Sequence, residues 1–273
     1  MISLGQISWR RFGVVASVGC LTMGALLVLA NVASAEGFRI ETKIYVGKEK
    51  EPASTATTLF LNGTVYDFLA EPEQVAVFRK PPGDKPGRFI LLDPDRRVRT
   101  EFSTEKVSGA IEKLNKWASQ QKNPVLKFAA EPKFDEKFDK DTGQILLTSY
   151  EENYRIDTTA PERPEALAQY REFLDWYTKL NTLLEAGPPP GPRLLVNAAL
   201  AKHKVIPTQV ELTRQGDDKP IRAEHYFTWR LSQNDQKKID DANSSLASYK
   251  LIENEEFAKG MHADADAVSD AKK

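Results

Sequence analysis

The chain predicts an α+β fold: a curved, mainly antiparallel sheet, half-barrel-like, covered by several helices. Three observations point there. Thr57 to Phe102 holds five short apolar runs divided by turn chemistry, the pattern of consecutive hairpins. After residue 103, segments with apolar residues at helical spacing alternate with further short strands. Several strands are apolar on both pleat faces, so each face needs a cover.

In chain order, the first 35 residues read as a secretory signal. Arg10 and Arg11 precede an uncharged apolar run over Gly13–Ala30, and Ala33-Ser34-Ala35 supplies small residues before Glu36. Export to the periplasm or the exterior, with cleavage near Ala35, is the expectation. An N-terminally membrane-anchored chain is the alternative. Phe38–Val46 alternates, with Phe38, Ile40, Thr42, Ile44 and Val46 on one face and charged residues on the other.

The five runs of the hairpin stretch are Thr57–Leu61, Thr64–Leu69, Gln74–Arg79, Arg88–Leu92 and Arg97–Phe102. A two-residue turn at Asn62-Gly63 puts Thr57, Leu59, Leu61, Thr64, Tyr66 and Phe68 on one face and Phe60 and Val65 on the other. Val75 and Val77 then oppose Ala76 and Phe78, and Phe89 and Leu91 oppose Ile90 and Leu92. Helices are expected on one face. The other is left to a second sheet, more helix, or a cavity for an apolar ligand.

Ser103 or Thr104 caps a helix running to about Gln121, with Val107, Ala110, Ile111, Leu114 and Trp117 as its stripe; Asn123-Pro124 ends it. Hairpins over 133–148 and 145–158 follow. Pro161–Pro164 opens the longest helix, to about Ala186, with Tyr170, Phe173, Tyr177 and Leu180 on its broad face. A rigid Gly187–Pro192 link leads to a helix over about Arg193–Lys202. Ile206–Thr213 and Ile221–Leu231 form a hairpin in which His225 faces inward. Ser232-Gln233-Asn234-Asp235 opens a helix through about Leu251 with a capping-box pattern. One domain is expected over 36–258, and Gln121–Lys133 is the only candidate for an internal boundary. From Lys259 the Ala/Asp/Lys composition predicts a disordered tail to 273.

The composition excludes several chemistries. The chain has 38 basic and 39 acidic residues, 36 against 39 once the signal is removed, which leaves no basic footprint for nucleic acid. Cys20 is the only cysteine and lies in the signal, so the mature chain has no disulfide, thiolate metal site or cysteine nucleophile. Three histidines, His203, His225 and His262, show no ligand spacing, and there is no Gly-x-Ser-x-Gly elbow or phosphate-binding glycine loop. No catalytic residue, metal site or cofactor is assigned. His225, on an inward strand face, is the one residue a hydrolase could use, and a hydrogen-bonded core histidine is the simpler account.

Two runs, Asn62-Gly63-Thr64-Val65-Tyr66-Asp67-Phe68 and Phe89 through Val98, together with Tyr170 through Tyr177, resemble a group of uncharacterised exported proteins of planctomycete-type bacteria. More distantly, the consecutive hairpins look like the half-barrel of periplasmic lipoprotein carriers of the Lol type. That resemblance implies an apolar concavity under helices that holds acyl chains, and it transfers no residue roles. The expected function is a non-catalytic envelope protein binding a hydrophobic or lipid-like ligand or a lipidated partner. Leu59, Phe60, Tyr66, Phe68, Phe78, Ile90 and Leu92 are its candidate lining. The alternative is an envelope scaffold or protein-interaction module without a small ligand; a hydrolase ranks last.

Overall fold

A computed structural model describes residues 37–70, 73–81, 83 and 85–260. The expected signal, the Glu71-Pro72 turn and the tail from 261 lie outside the described residues. Twelve strands form one open, curved sheet: β1 (Phe38–Val46), β2 (Ser54–Leu61), β3 (Thr64–Leu69), β4 (Gln74–Arg79), β5 (Arg88–Asp93), β6 (Val98–Ser103), β7 (Asp135–Asp139), β8 (Gln144–Thr148), β9 (Glu152–Thr159), β10 (Ile206–Arg214), β11 (Ile221–Thr228) and β12 (Lys250–Leu251). Their order is β12-β6-β5-β4-β3-β2-β1-β11-β10-β9-β8-β7. Every pairing is antiparallel except the parallel β12/β6 pair. Two runs of antiparallel strands, β1–β6 and β7–β11, therefore meet at one long-range seam, β1 against β11; β9/β10 and β12/β6 are long-range joins within or at the edge of these runs.

Turn chemistry sets the register of the first meander. Asn62 and Gly63 both take positive φ, 52° and 75°, as a two-residue type I′ turn requires. Leu61 is then the partner of Thr64 and Leu59 of Tyr66. Phe60, Val65, Ala76, Phe78, Phe89 and Leu91 share one face; Leu59, Tyr66, Val75, Val77, Ile90 and Leu92 share the other.

Helix covers both faces here. On the first lie α1 (Thr104–Ser119), through Val107 and Ile111, and α3 (Ala166–Leu184), through Tyr170, Phe173 and Leu180. On the second lies α5 (Gln233–Ser248), through Ile239 and Ala242. Farther along the first face, α4 (Gly191–His203) covers β8–β10, where Val196 and Leu200 meet Ile145, Ile156 and Val210. Outside α5, the second face is wet and charged: Arg39 pairs with Glu41, Arg222 with Glu224, and Arg155 with Glu211.

Several expectations are corrected. Asn123-Pro124 opens a helix as well as ending one: Asn123 caps α2 (Pro124–Ala130) and Pro124 takes its first position, where a missing N–H does no harm. The one candidate interval for an internal boundary holds a helix packed against α1 and α4. Helix α3 begins at Ala166, beyond the two prolines, not at Pro161. The capping box of Ser232 and Asp235 forms, but α5 stops at Ser248: Tyr249 turns extended, and Lys250 and Leu251 add β12 to the β6 edge. A last helix, α6 (254–260), runs through Lys259 and Gly260, and its Phe257 is wholly buried with Ile252 in the first-face core. The opposite edge, β7, carries Asp135, Glu136, Lys137 and Asp139, charges that blunt strand addition.

Candidate functional site

The seven residues expected to line one apolar site divide between two faces. Phe60 and Phe78 lie under α1 and α3, while Leu59, Tyr66, Phe68, Ile90 and Leu92 lie under α5. A strand alternates its side chains, so a set drawn from both pleat phases cannot form one surface. Nor is either face hollow at these residues: Leu59 is 0% exposed, Phe60 1% and Leu92 1%. Phe60 meets Phe173 edge-on at 5.7 Å, and Phe78 lies 4.7 Å from Phe89. These side chains fill a core.

The cover on the first face is incomplete elsewhere. Phe38 and Ile40 at the start of β1 are buried, but Thr42, Ile44 and Val46 on the same face are only half-buried. So are their neighbours on β11, with Ile44 opposite Ala223 and Thr42 opposite His225. The later part of β1 and its β11 partners thus lie between two sealed cores, one under α1 and α3, the other under α4. That leaves a half-covered strip along β1 and β11, a shallow groove in the helix-covered face.

Buried polar groups lie beneath and beside this strip. His225 Nδ1 lies 3.0 Å from Thr42 Oγ1, a cross-strand pair. Its Nε2 is sealed from solvent and has no partner. Burial, with the nearby positive charge of Arg193, lowers the imidazole to about 3, so the ring is neutral at ordinary pH. Tyr170 reaches in from α3, its ring 5.5 Å from Phe227, and burial holds its hydroxyl protonated. Arg193, in the first turn of α4, acts electrostatically on His225, Tyr170 and Tyr154 together. It makes no ion pair or hydrogen bond with any described residue. One turn on, Asn197 is 2% exposed; its amide donates to Asp175 Oδ1 at 2.9 Å, tying α4 to α3, while its Oδ1 stays unpartnered.

A second buried polar group sits under α3 and is complete in itself. Asp67 accepts hydrogen bonds from Thr58, at 2.6 Å, and from Tyr177. Burial raises its carboxyl. On the surface, an open cleft of about 620 Å³ lies between α2 and the β8–β9 turn, with Phe128, Phe134 and Tyr150 among charged neighbours. His203 stacks on Phe138 at 4.1 Å and lies 2.6 Å from Glu136 Oε1, a surface contact at the β7 edge. His262 is outside the described residues.

Among the described residues, no three His, Cys, Asp or Glu side chains gather as a metal site. None of the described helices is long and apolar enough to cross a membrane. Among the described residues, His225 Nδ1 has Thr42 as its hydrogen-bond partner and no carboxylate. The inward position of His225 is legible from the alternation of β11. Arg193 is the residue that sequence reasoning passes over, although one signal exists: a cation in a helix's first turn, with no acid there, opposes the helix dipole.

Compared with known proteins, the chain matches no protein-family model, and no curated protein sequence is similar to it.

Proposed function

We propose that this is an exported, non-catalytic binding protein for a lipid-like ligand, taken up in the shallow groove along β1 and β11. One observation carries this reading: two adjoining interior strands of a twelve-stranded sheet, β1 and β11, are left half-covered on the face that helices seal on either side. Uncovered apolar surface at the middle of a sheet is costly in water, and an occupant that covers Ile44, Ala223 and Phe227 removes that cost. The site expected at Leu59 through Leu92 is replaced by this one, because those side chains fill the sealed cores.

The test uses the full chain, expressed with its own leader, recovered and stripped of lipid. A neutral fluorescent probe, N-phenyl-1-naphthylamine, is titrated in and chased with dodecanol. Saturable, displaceable binding near micromolar, about −8 kcal/mol, that is lost when Ala223→Trp fills the groove floor supports the reading. Absence of displaceable binding by a well-folded chain overturns it.

A second reading rests on the cleft beside α2. There Tyr150 is 76% exposed, a large side chain that a protein partner would cover together with Phe128 and Phe134. It proposes an envelope interaction module, and it predicts that Tyr150→Ser abolishes a pull-down that Ala223→Trp leaves intact.

A further inference from the structure

We propose that two copies of this chain associate through the cleft between α2 and the β8–β9 turn, paired about a two-fold axis so that Tyr150 of each enters the recess of the other. The proposal rests on the reading of that cleft as a protein contact, and it goes beyond that reading by naming the partner.

A two-fold contact brings one patch against itself. The patch must therefore carry both halves of every fit: a projection beside its own recess, and charges of both signs. The recess is the open cleft of about 620 Å³. Pockets of roughly 300–1,000 Å³ take in whole drug-sized ligands, so a phenol ring has ample room. The apolar lining is Phe128 of α2 and Phe134 just before β7, half-buried rings that meet edge-on at 5.3 Å. Phe134 also meets buried Tyr154 at 5.9 Å, which ties this wall to the core under α4. The projection is Tyr150, 76% exposed at the rim of the same cleft.

Both walls are fixed before a partner arrives. In the β8–β9 turn, Ser149 Oγ donates to the Glu152 carbonyl at 2.7 Å and Ser149 N donates to Asn153 Oδ1 at 3.1 Å. Gln215 N donates to the Glu151 carbonyl at 2.8 Å. On the other side Asn123 caps α2, and α4 abuts it at Gly191. A projection and a recess that are already rigid lose little conformational freedom on docking.

The charges favour a second copy over another partner. Lys127 and Lys133 stand around the cleft with Glu131, Asp135 and Glu151, and none of these makes an ion pair with a described residue. Nearby charges do pair off: Lys202 with Glu136 at the β7 edge, and Arg214 with Glu152 beside Glu151. A partner of one sign would satisfy either the lysines or the acids and set the rest against like charge. A copy turned about a two-fold axis carries both signs and sets lysines against acids twice over.

The experiment is sedimentation velocity on the full, lipid-stripped chain over a range of concentrations. A monomer–dimer equilibrium with a dissociation constant between about 1 and 100 μM is expected, as suits a contact at the small end of specific interfaces. Tyr150→Ser should weaken it about tenfold or more, while Ala223→Trp leaves it unchanged. Two double variants test the charges: Lys127→Glu with Lys133→Glu, and Glu131→Lys with Asp135→Lys. Each should be monomeric alone, and the two mixed should form a heterodimer. All five cleft positions changed are exposed, and unchanged circular dichroism separates a lost contact from a lost fold. A wild type that stays monomeric at about 200 μM overturns the proposal. So does a dimer that Tyr150→Ser and both charge variants leave undiminished, or a mixture of the charge variants that does not associate. A monomer that retains a Tyr150-dependent pull-down of another protein overturns the second copy and leaves the interaction-module reading standing. A monomer without one fails both.

Discussion

Thr58 donates its hydroxyl proton to Asp67 Oδ1 at 2.6 Å, across neighbouring strands and out of reach of water. Tyr177 donates to the same carboxyl from α3, so one acid joins two strands to their covering helix. Burial raises Asp67 above its ordinary value, and these hydrogen bonds pull it partly back. The folded chain therefore holds this proton to higher pH than the unfolded chain does. The stability it contributes is complete below the unfolded value near 3.8 and is lost as pH rises through the raised folded value. Urea midpoints from pH 4 to pH 8 should fall for the wild type relative to Asp67→Asn. Parallel profiles would refute this. Asp67→Ala should be worse at every pH, by roughly 1–3 kcal/mol for each hydroxyl left unpaired.

His225 titrates with the opposite sense. Its folded value, about 3, lies below the unfolded 6.5. As pH falls the unfolded chain takes the proton first, so stability is complete above 6.5 and is lost between 6.5 and about 3, by at most about 1.4 kcal/mol per pH unit. His225→Asn should flatten this part of the acid limb. In the wild type, imidazole ¹⁵N shifts should still report a neutral ring at pH 5; a protonated ring there would show that His225 is not sealed.

Two glycines should respond differently to alanine. At Gly63 the added Cβ meets nothing within 4 Å, so Gly63→Ala loses only the ease of positive φ, about 1 kcal/mol. At Gly191 the Cβ would fall 2.4 Å from the Ala129 carbonyl oxygen and 2.8 Å from Pro132 Cδ. Helix α4 can approach α2 this closely only without a side chain, so Gly191→Ala should cost roughly 1–3 kcal/mol. Amide exchange locates the damage: α2 should open faster in Gly191→Ala and be unchanged in Gly63→Ala.

Phe89 is 0% exposed between Phe78 and α3, so Phe89→Ala should cost roughly 3–5 kcal/mol in chemical denaturation. Trp117, at the same helix-covered side but 51% exposed, should cost far less as Trp117→Ala, within about 1 kcal/mol. Similar losses at the two positions would mean that the aromatic cluster does not anchor the sheet.

The hairpins of the first meander were readable because their cause is local. Asn62-Gly63 adopts one turn, and that turn fixes which of Phe60 and Leu59 faces which helix. Ser232 and Asp235 were readable for the same reason. Helix α2 was not, because Asn123-Pro124 carries a stop signal and a start signal in the same two residues. Strand β12 was not, because two residues have no periodicity; their pairing depends on where β6 ends up. The groove was hidden for a similar reason. Thr42 and His225 meet only when β1 pairs with β11, and the chain between them contains no trace of that pairing. The lining expected at Leu59, Phe60 and their neighbours failed because apolarity on both faces signals two covers as readily as one cavity.

The seam between β1 and β11 also dictates a timetable. Thr42 and His225 are 183 positions apart, whereas the other antiparallel joints, β9 with β10 excepted, link strands that follow one another closely in the chain. During synthesis the first meander can assemble early, but its β1 side stays a raw strand edge until residues 221–228 emerge. A chain interrupted before Ile221 therefore ends with an open β-edge at what should be the middle of the sheet. Such fragments should aggregate edge to edge, and a chaperone escorting the nascent chain would have β1 as its natural handhold.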